Sequence, residues 1–209
     1  PISTLLTLEN TWHGRVIPAE KICAAAQRGK DHGLAVHFDG ARMMNACVKL
    51  GMSPAQLTAG ADSVSMCMSK GLGAPAGTVL AGSKALIRRA HRARKLLGGG
   101  MRQVGVLAAA ALYALDHHVE RLADDHANAI RLGEQLRTLD KLDVDMDVVD
   151  SNMVFVNIPE GASAPLQAHL HARGILVNAA EPQMRLVTHL DCGADEVDLF
   201  VDEIRSFFA

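Results

Sequence analysis

A lysine in a glycine-rich segment is the residue whose setting most suggests chemistry. Lys70 follows the strand-like run 61–66 and is succeeded by Gly71, Gly73 and Gly77. An amine in apolar surroundings is more readily neutral and therefore nucleophilic. A surface turn that happens to carry a lysine is the alternative. A Walker-type phosphate loop fits poorly, because its glycines precede the lysine.

An acidic residue ends another apolar run. Asp39 follows residues 34–38 and precedes Gly40. Open α/β sheets place ligand-binding groups at the carboxyl ends of their strands, which favours a binding role for this carboxylate. The alternative is that Asp39 caps the helix that follows, since aspartate at an N-cap accepts backbone N–H bonds.

Asp39 and Lys70 together are more specific than either residue alone. Pyridoxal phosphate (PLP) chemistry requires an amine that holds the cofactor and a carboxylate that keeps its pyridine nitrogen protonated as an electron sink. The sequence supplies both groups, about thirty residues apart and each at the end of a predicted strand. It therefore predicts a PLP site in which Lys70 forms the Schiff base and Asp39 holds the pyridine nitrogen.

The elements that must position these residues alternate along the chain. Apolar periodicity predicts strands over 5–8, 34–38, 61–66 and 78–82, and helices over 19–32, 41–50 and 84–96. Strands that alternate with helices predict an α/β architecture with a mostly parallel sheet.

The C-terminal part is predicted to form a small α+β domain. An Ala- and Leu-rich helical stretch from Val104 to about Leu139 is long enough to link two domains. Beyond it we expect strands over 152–158, 175–177 and 184–188 and helices over 165–173 and 194–208. The predicted domains are residues 1–125, the C-terminal part of a PLP-binding large domain, and residues 126–209, a small C-terminal domain.

Composition favours a small-molecule partner. The 209 residues carry a formal net charge of −2 and are 49% hydrophobic, with no basic excess that would indicate nucleic acid and no apolar run of the ~18 residues needed to span a membrane. The four cysteines form no CxxC pair, which favours reduced thiols of a cytosolic protein over a disulfide framework or a metal site. The histidines are interpreted as surface or packed residues.

Five motifs, in chain order, carry a resemblance to a known family. They are Leu8-Glu9-Asn10-Thr11 with the following Gly14 and Val16-Ile17-Pro18, His37-Phe38-Asp39-Gly40-Ala41-Arg42, Ser69-Lys70-Gly71-Leu72-Gly73-Ala74-Pro75, Leu97-Gly98-Gly99-Gly100-Met101-Arg102-Gln103, and Arg185-Leu186-Val187-Thr188-His189. With these motifs the sequence resembles the low-specificity L-threonine aldolases. These belong to the fold type I, aspartate-aminotransferase-like PLP enzymes.

The resemblance implies roles for particular residues. Lys70 would carry the cofactor and Asp39 would contact the pyridine nitrogen, while Arg42 and Arg185 would bind the α-carboxylate of the substrate and Arg102 the cofactor phosphate. Lys95 is similar to a family residue near the active site. The alternative interpretation is that Lys95 is a solvated surface charge, because it ends a basic run with Lys84, Arg88, Arg89, Arg92 and Arg94.

The resemblance also implies an activity and an assembly. The activity is PLP-dependent cleavage of L-threonine or L-allo-threonine to glycine and acetaldehyde, by a cytoplasmic homotetramer or dimer. Another fold type I reaction (transamination, β-elimination or racemisation) and a non-catalytic fragment stay open as alternatives. Because the sequence begins with Pro1-Ile2-Ser3 and enters at once what reads as the middle of a domain, we expect a fragment, with the family's ring-stacking histidine and catalytic base upstream.

Overall fold

The computed structural model describes residues 2–209, which form two compact units. The first unit runs through Trp12 and continues over Val16–Arg121, and the second comprises His13–Arg15 and Leu122–Ala209. Within residues 2–209, every helix is too short or too polar to cross a lipid bilayer.

The first unit is built on a four-stranded sheet. Its strands are β1 (Leu5–Glu9), β2 (Ala35–Gly40), β3 (Ser63–Cys67) and β4 (Thr78–Gly82), adjacent in that order. The pairs β1–β2 and β2–β3 are parallel, and β4 is antiparallel to β3. The prediction of an α/β architecture with a mostly parallel sheet is confirmed. β4 runs the other way because a single loop returns the chain from the end of β3.

Five helices belong to this unit: α1 (Ala19–Asp31), α2 (Met43–Leu50), α3 (Pro54–Leu57), α4 (Lys84–Leu96) and α5 (Gly105–His117). Helices α1, α2 and α3 cover one face of the sheet, where Phe38 of β2 packs with Ile22, Met43 and Leu57. Side chains alternate between the faces of a strand, so the buried residues Val36 and Phe38 leave His37 and Asp39 on the opposite face.

The second unit joins a two-stranded sheet to three helices. Its elements are α6 (Leu122–Leu136), a 3₁₀ turn (Met146–Val148), β5 (Met153–Asn157), α7 (Ser163–His171), β6 (Gln183–Val187) and α8 (Ala194–Phe208). β5 and β6 pair antiparallel. One core of aliphatic side chains includes Leu136, Val154, Leu166, Met184 and Ile204, each fully buried. This mixture agrees with the predicted α+β composition.

The short segment His13–Arg15 is fixed to the second unit by three contacts. Gly14 adopts φ +79°, and a Cβ at this position would lie 2.6 Å from Cβ of Met153. The Ser151 hydroxyl donates to the Gly14 carbonyl at 2.5 Å, and the rings of His13 and Phe155 are 6.0 Å apart. Only glycine fits this left-handed turn beside β5.

Two predicted elements differ in the structure. The single helical stretch over 104–139 is two helices, because α5 ends where the His118 ring donates from Nδ1 to the Leu72 carbonyl at 2.7 Å. Residues 175–177 are not a strand. The amide of Ile175 bonds to the Leu170 carbonyl at the end of α7, at 3.0 Å, so this segment closes a helix instead of joining the sheet.

Candidate active site

Asp39 and Lys70 lie at the same edge of the sheet. β2 and β3 run parallel, with Asp39 opposite Ser65 and Gly40 opposite Met66. Lys70 follows three residues after the end of β3. Because parallel strands end at one edge, both residues lie towards the edge where α/β proteins bind ligands.

The Asp39 carboxylate is held in a turn. Its side chain is half-buried, and Oδ1 accepts a hydrogen bond from the Ala41 amide at 3.0 Å. Helix α2 begins at Met43 with Arg42 as its N-cap residue, and no side chain caps it. The alternative that Asp39 serves only as a helix cap is therefore wrong. Its carboxylate is fixed by the turn that precedes the helix.

The loop that carries Lys70 is organised by its own backbone. Met68 donates to the Gly77 carbonyl and Ala74 to the Met68 carbonyl, at 2.9 and 3.0 Å, and Gly73 donates to the Lys70 carbonyl at 2.8 Å. The side chain of Lys70 is exposed, so the expected apolar surroundings are not found in the described residues. Met68 and Leu72 fill the buried side of this loop and turn Lys70 outward.

Arg42 belongs to the same edge. Its half-buried side chain lines a small recess together with Gly40, Cys67 and Gly71. The recess thus has walls from the segment after β2 and from the segment after β3. Asp39, Arg42 and Lys70 all belong to the first unit.

Cys67 is a further polar group of this edge that the sequence did not single out. The cysteines were interpreted as packing residues, and this holds for buried Cys47, where burial raises the pKa to about 11. At Cys67 burial also acts to raise the pKa. Hydrogen bonds from Ser69 and Thr78 and the positive charge of Lys70 outweigh it, so the pKa of this thiol is lowered. The Sγ atom is 3.4 Å from Ser69 Oγ.

Lys95 lies in the last turn of α4, and Arg102 follows the glycine triplet. The triplet folds back on the last turn of α4, with Gly99 donating to the Arg94 carbonyl at 2.8 Å. A Cβ at Gly100 would lie 3.0 Å from Lys95 Nζ. The side chains of Lys95 and Arg102 are both exposed, which agrees with the alternative interpretation of Lys95 as a solvated charge.

Arg185 lies in the second unit. It is an exposed residue of β6 whose partner on β5 is Phe155, the residue that packs against the His13 ring. Cross-strand partners share a face of the sheet, so Arg185 and the His13 turn lie on the same side of this unit.

His37 is a further polar residue of the site that sequence reasoning did not select. Its Nδ1 is 2.8 Å from Ser63 Oγ and its Nε2 is 3.4 Å from Ser65 Oγ. The sequence could have indicated His37 through its spacing from Asp39. A residue two positions before Asp39 on a strand must lie on the same face of the sheet as Asp39.

The fold of the chain is that of the fold type I PLP enzymes. Solved structures agree on the fold. The Leishmania major threonine aldolase matches with a TM-score of 0.74 at 18% identity, over 99% of this chain and 61% of that one. The Sphingomonas wittichii serine palmitoyltransferase matches with 0.75 at 19% identity, over 98% and 54%. The predicted fold class is confirmed.

The chain belongs to the beta-eliminating lyase family, whose model matches residues 1–159. Among curated relatives, the low specificity L-threonine aldolase of Escherichia coli K12 is 44% identical over 98% of this chain and 60% of that protein. A probable low-specificity L-threonine aldolase of Arabidopsis thaliana is 43% identical over 100% and 61%. The resemblance drawn from the motifs is confirmed. The chain spans about 60% of the length of these relatives.

Proposed function

We propose that this chain carries the lysine, carboxylate and arginine residues of a PLP-dependent lyase that cleaves L-threonine and L-allo-threonine to glycine and acetaldehyde. The observation that supports the proposal is the parallel register of β2 and β3, with Asp39 near the end of β2 and Lys70 three residues beyond the end of β3. The similarity to low specificity L-threonine aldolases supports this reaction over others of the same fold.

The side chains of the proposed site are of the types that bind PLP. In the proposed site the Lys70 amine is the covalent attachment point, and the Asp39 carboxylate, already fixed by the Ala41 amide, holds the proton on the pyridine nitrogen. When bound, PLP supplies the electron sink for the pair released from the Cα–Cβ bond. Arg102, exposed after the glycine triplet, is proposed to contact the cofactor phosphate.

The substrate's α-carboxylate is proposed to be bound by arginine. A guanidinium can donate two parallel hydrogen bonds to a carboxylate and stays charged at all relevant pH values. Arg42 in the first unit and Arg185 in the second are each proposed for this role, with Lys95 as a further substrate contact. Fixing the carboxylate orients the Cα–Cβ bond. Orientation of this kind accounts for a large part of the rate enhancement in such sites.

Product analysis tests the reaction. Incubation with L-threonine should yield glycine and acetaldehyde in equal amounts. Ammonia with a keto acid would instead support β-elimination, the reaction for which the matching family is named. Lys70→Ala should abolish both the products and the visible absorbance of bound PLP. Unchanged absorbance and turnover in that variant would refute the assignment of Lys70. Lys84→Ala, on exposed α4, is the matched control.

The exposed surface and the cysteines support a proposal for assembly and location. Exposed apolar side chains on and between α4 and α5 support self-association as a homotetramer or dimer; they are Leu96, Leu97, Met101, Val104, Val106, Leu112 and Tyr113. Light scattering of the purified protein tests this. The four free cysteines support a cytoplasmic location. We also propose a division into a cofactor-binding domain (residues 1–125) and a small domain (residues 126–209). The boundary between the two compact units after Arg121 supports this division.

A further inference from the structure

A chain of hydroxyl and imidazole groups runs along the polar face of the sheet. Ser63 and Ser65 of β3 are the cross-strand partners of His37 and Asp39. His37 contacts both serines, Ser63 through Nδ1 at 2.8 Å and Ser65 through Nε2 at 3.4 Å. The His37 imidazole thus connects Ser63, its own cross-strand partner, with Ser65, the cross-strand partner of Asp39.

The two contacts of His37 constrain the positions of the imidazole proton and of the two serine hydroxyl protons. A neutral imidazole has one N–H donor and one acceptor nitrogen, whereas a hydroxyl both donates and accepts. When Ser63 donates to Nδ1, the proton of His37 is on Nε2 and is donated to Ser65 Oγ. Ser65 then keeps its own O–H for a further acceptor. Paired strands are about 4.8 Å apart, and the Asp39 carboxylate, on the same face and opposite Ser65, is the acceptor next to it on that face.

We infer that His37 is a positioning residue that aims the Ser65 hydroxyl at the Asp39 carboxylate. The Ala41 amide holds Oδ1 of this carboxylate from the turn, and the proposed second donor is the Ser65 hydroxyl of the neighbouring strand. Two donors from different elements restrict rotation of the carboxylate. A carboxylate that is already oriented loses less freedom when the pyridine nitrogen binds, which raises the affinity for PLP. This inference rests on the proposed function of the site.

The location of His37 favours this role over simple packing. The core face of β2 is filled by Val36 and Phe38, which are both 1% exposed, and His37 is on the other face. An imidazole that only filled space would not need a hydroxyl at each nitrogen.

Two conservative variants separate the contacts of His37. An asparagine amide reaches about as far as Nδ1, towards Ser63, and a glutamine amide about as far as Nε2, towards Ser65. In the PLP-loaded protein, His37→Asn should raise the dissociation constant for PLP about tenfold, the effect of losing one hydrogen bond to a charged acceptor. His37→Gln should bind PLP nearly as well as the wild type.

Ser65 provides an independent variant. Ser65→Ala should weaken PLP binding as much as His37→Asn, and the double variant should be no weaker than either single one, because both changes remove the same contact. Thr7→Ser is the matched control, since Thr7 is the partner of His37 on β1 and shares its face. Unfolding midpoints of all variants show whether a loss of affinity reflects a loss of structure.

The outcomes are distinct. The inference would be overturned if Ser65→Ala bound PLP with wild-type affinity. It would also be overturned if His37→Asn and His37→Gln bound PLP equally well, or if the losses of affinity were additive in the double variant. A protein that binds PLP in the predicted order of variants but makes neither glycine nor acetaldehyde from threonine would refute the proposed reaction and leave the role of His37 standing. A wild-type protein without affinity for PLP would refute both.

Discussion

Gly40 and Ser65 approach each other so closely that a Cβ on Gly40 would lie 2.4 Å from the Ser65 carbonyl oxygen. The same Cβ would lie 3.1 Å from Cβ of Met43. Gly40 directly follows Asp39, and Ser65 is the cross-strand partner of Asp39. The close approach therefore sets how far the carboxylate lies from β3.

Gly40→Ala should destabilise the first unit. The Ser65 contact is with backbone, so the strands must separate, and overpacking of this kind costs about 1–3 kcal/mol. Denaturant unfolding measures the loss. Gly105→Ala is the control, because a Cβ there meets no atom within 4 Å and the site begins a helix. Equal stability of the two variants would contradict the close approach.

In the PLP-free protein, Lys70→Gln should slow the alkylation of Cys67. The charge of Lys70 helps to lower the pKa of this thiol, and the thiolate is the reactive form. Labelling with iodoacetamide near neutral pH, followed by mass spectrometry of the peptides, gives the rate. In the wild type Cys67 should also react faster than Cys47, whose pKa is raised to about 11 by burial. Lys84→Gln should leave the Cys67 rate unchanged; an equal effect of both variants would exclude a specific influence of Lys70.

The Arg131–Asp198 pair should stabilise the second unit only above acidic pH. Arg131 donates to Asp198 from Nε at 2.8 Å and from Nη2 at 2.5 Å, and with Gln135 it lowers the pKa of Asp198 from 3.8 to about 2. A lowered folded-state pKa gives stability that is complete above the unfolded-state pKa and declines as pH falls through the folded-state pKa.

Thermal unfolding tests this dependence. Asp198→Asn should lower the melting temperature at pH 7, and its difference from the wild type should shrink between about pH 4 and pH 2. Glu134→Gln, on the exposed side of α6, is the control. A difference that stays constant down to pH 2 would show that the charge of Asp198 is not responsible.

Arg185→Lys should reduce kcat/KM for L-threonine about 10- to 100-fold, mainly through KM. A lysine cannot reproduce the two parallel hydrogen bonds of a guanidinium to a carboxylate, and each hydrogen bond to a charged group contributes about 1.5–3 kcal/mol. Steady-state kinetics measure the change. Arg173→Lys is the control, because Arg173 pairs with Glu203 on the surface of the same unit. Equal kinetics of both variants would remove Arg185 from the substrate site.

Much of the unit that holds Asp39 and Lys70 could be predicted from the sequence. The apolar runs that end at Asp39 and before Lys70 became β2 and β3, because burial of one strand face is a local property of the pattern. The exposure of Lys70 could not be predicted in this way. It depends on the backbone bonds of the loop after β3, in which Met68 and Leu72 occupy the buried positions.

The chemical groups, their order and the strand ends that carry them could all be read from the sequence, and its motifs indicated the family. Tertiary structure decided which groups meet. The pairing of Asp39 with Ser65, the contacts of His37 and the break between α5 and α6 at His118 all join residues on different elements. Such contacts depend on strand register and loop closure, which are non-local properties of the chain, whereas sequence patterns report local preferences.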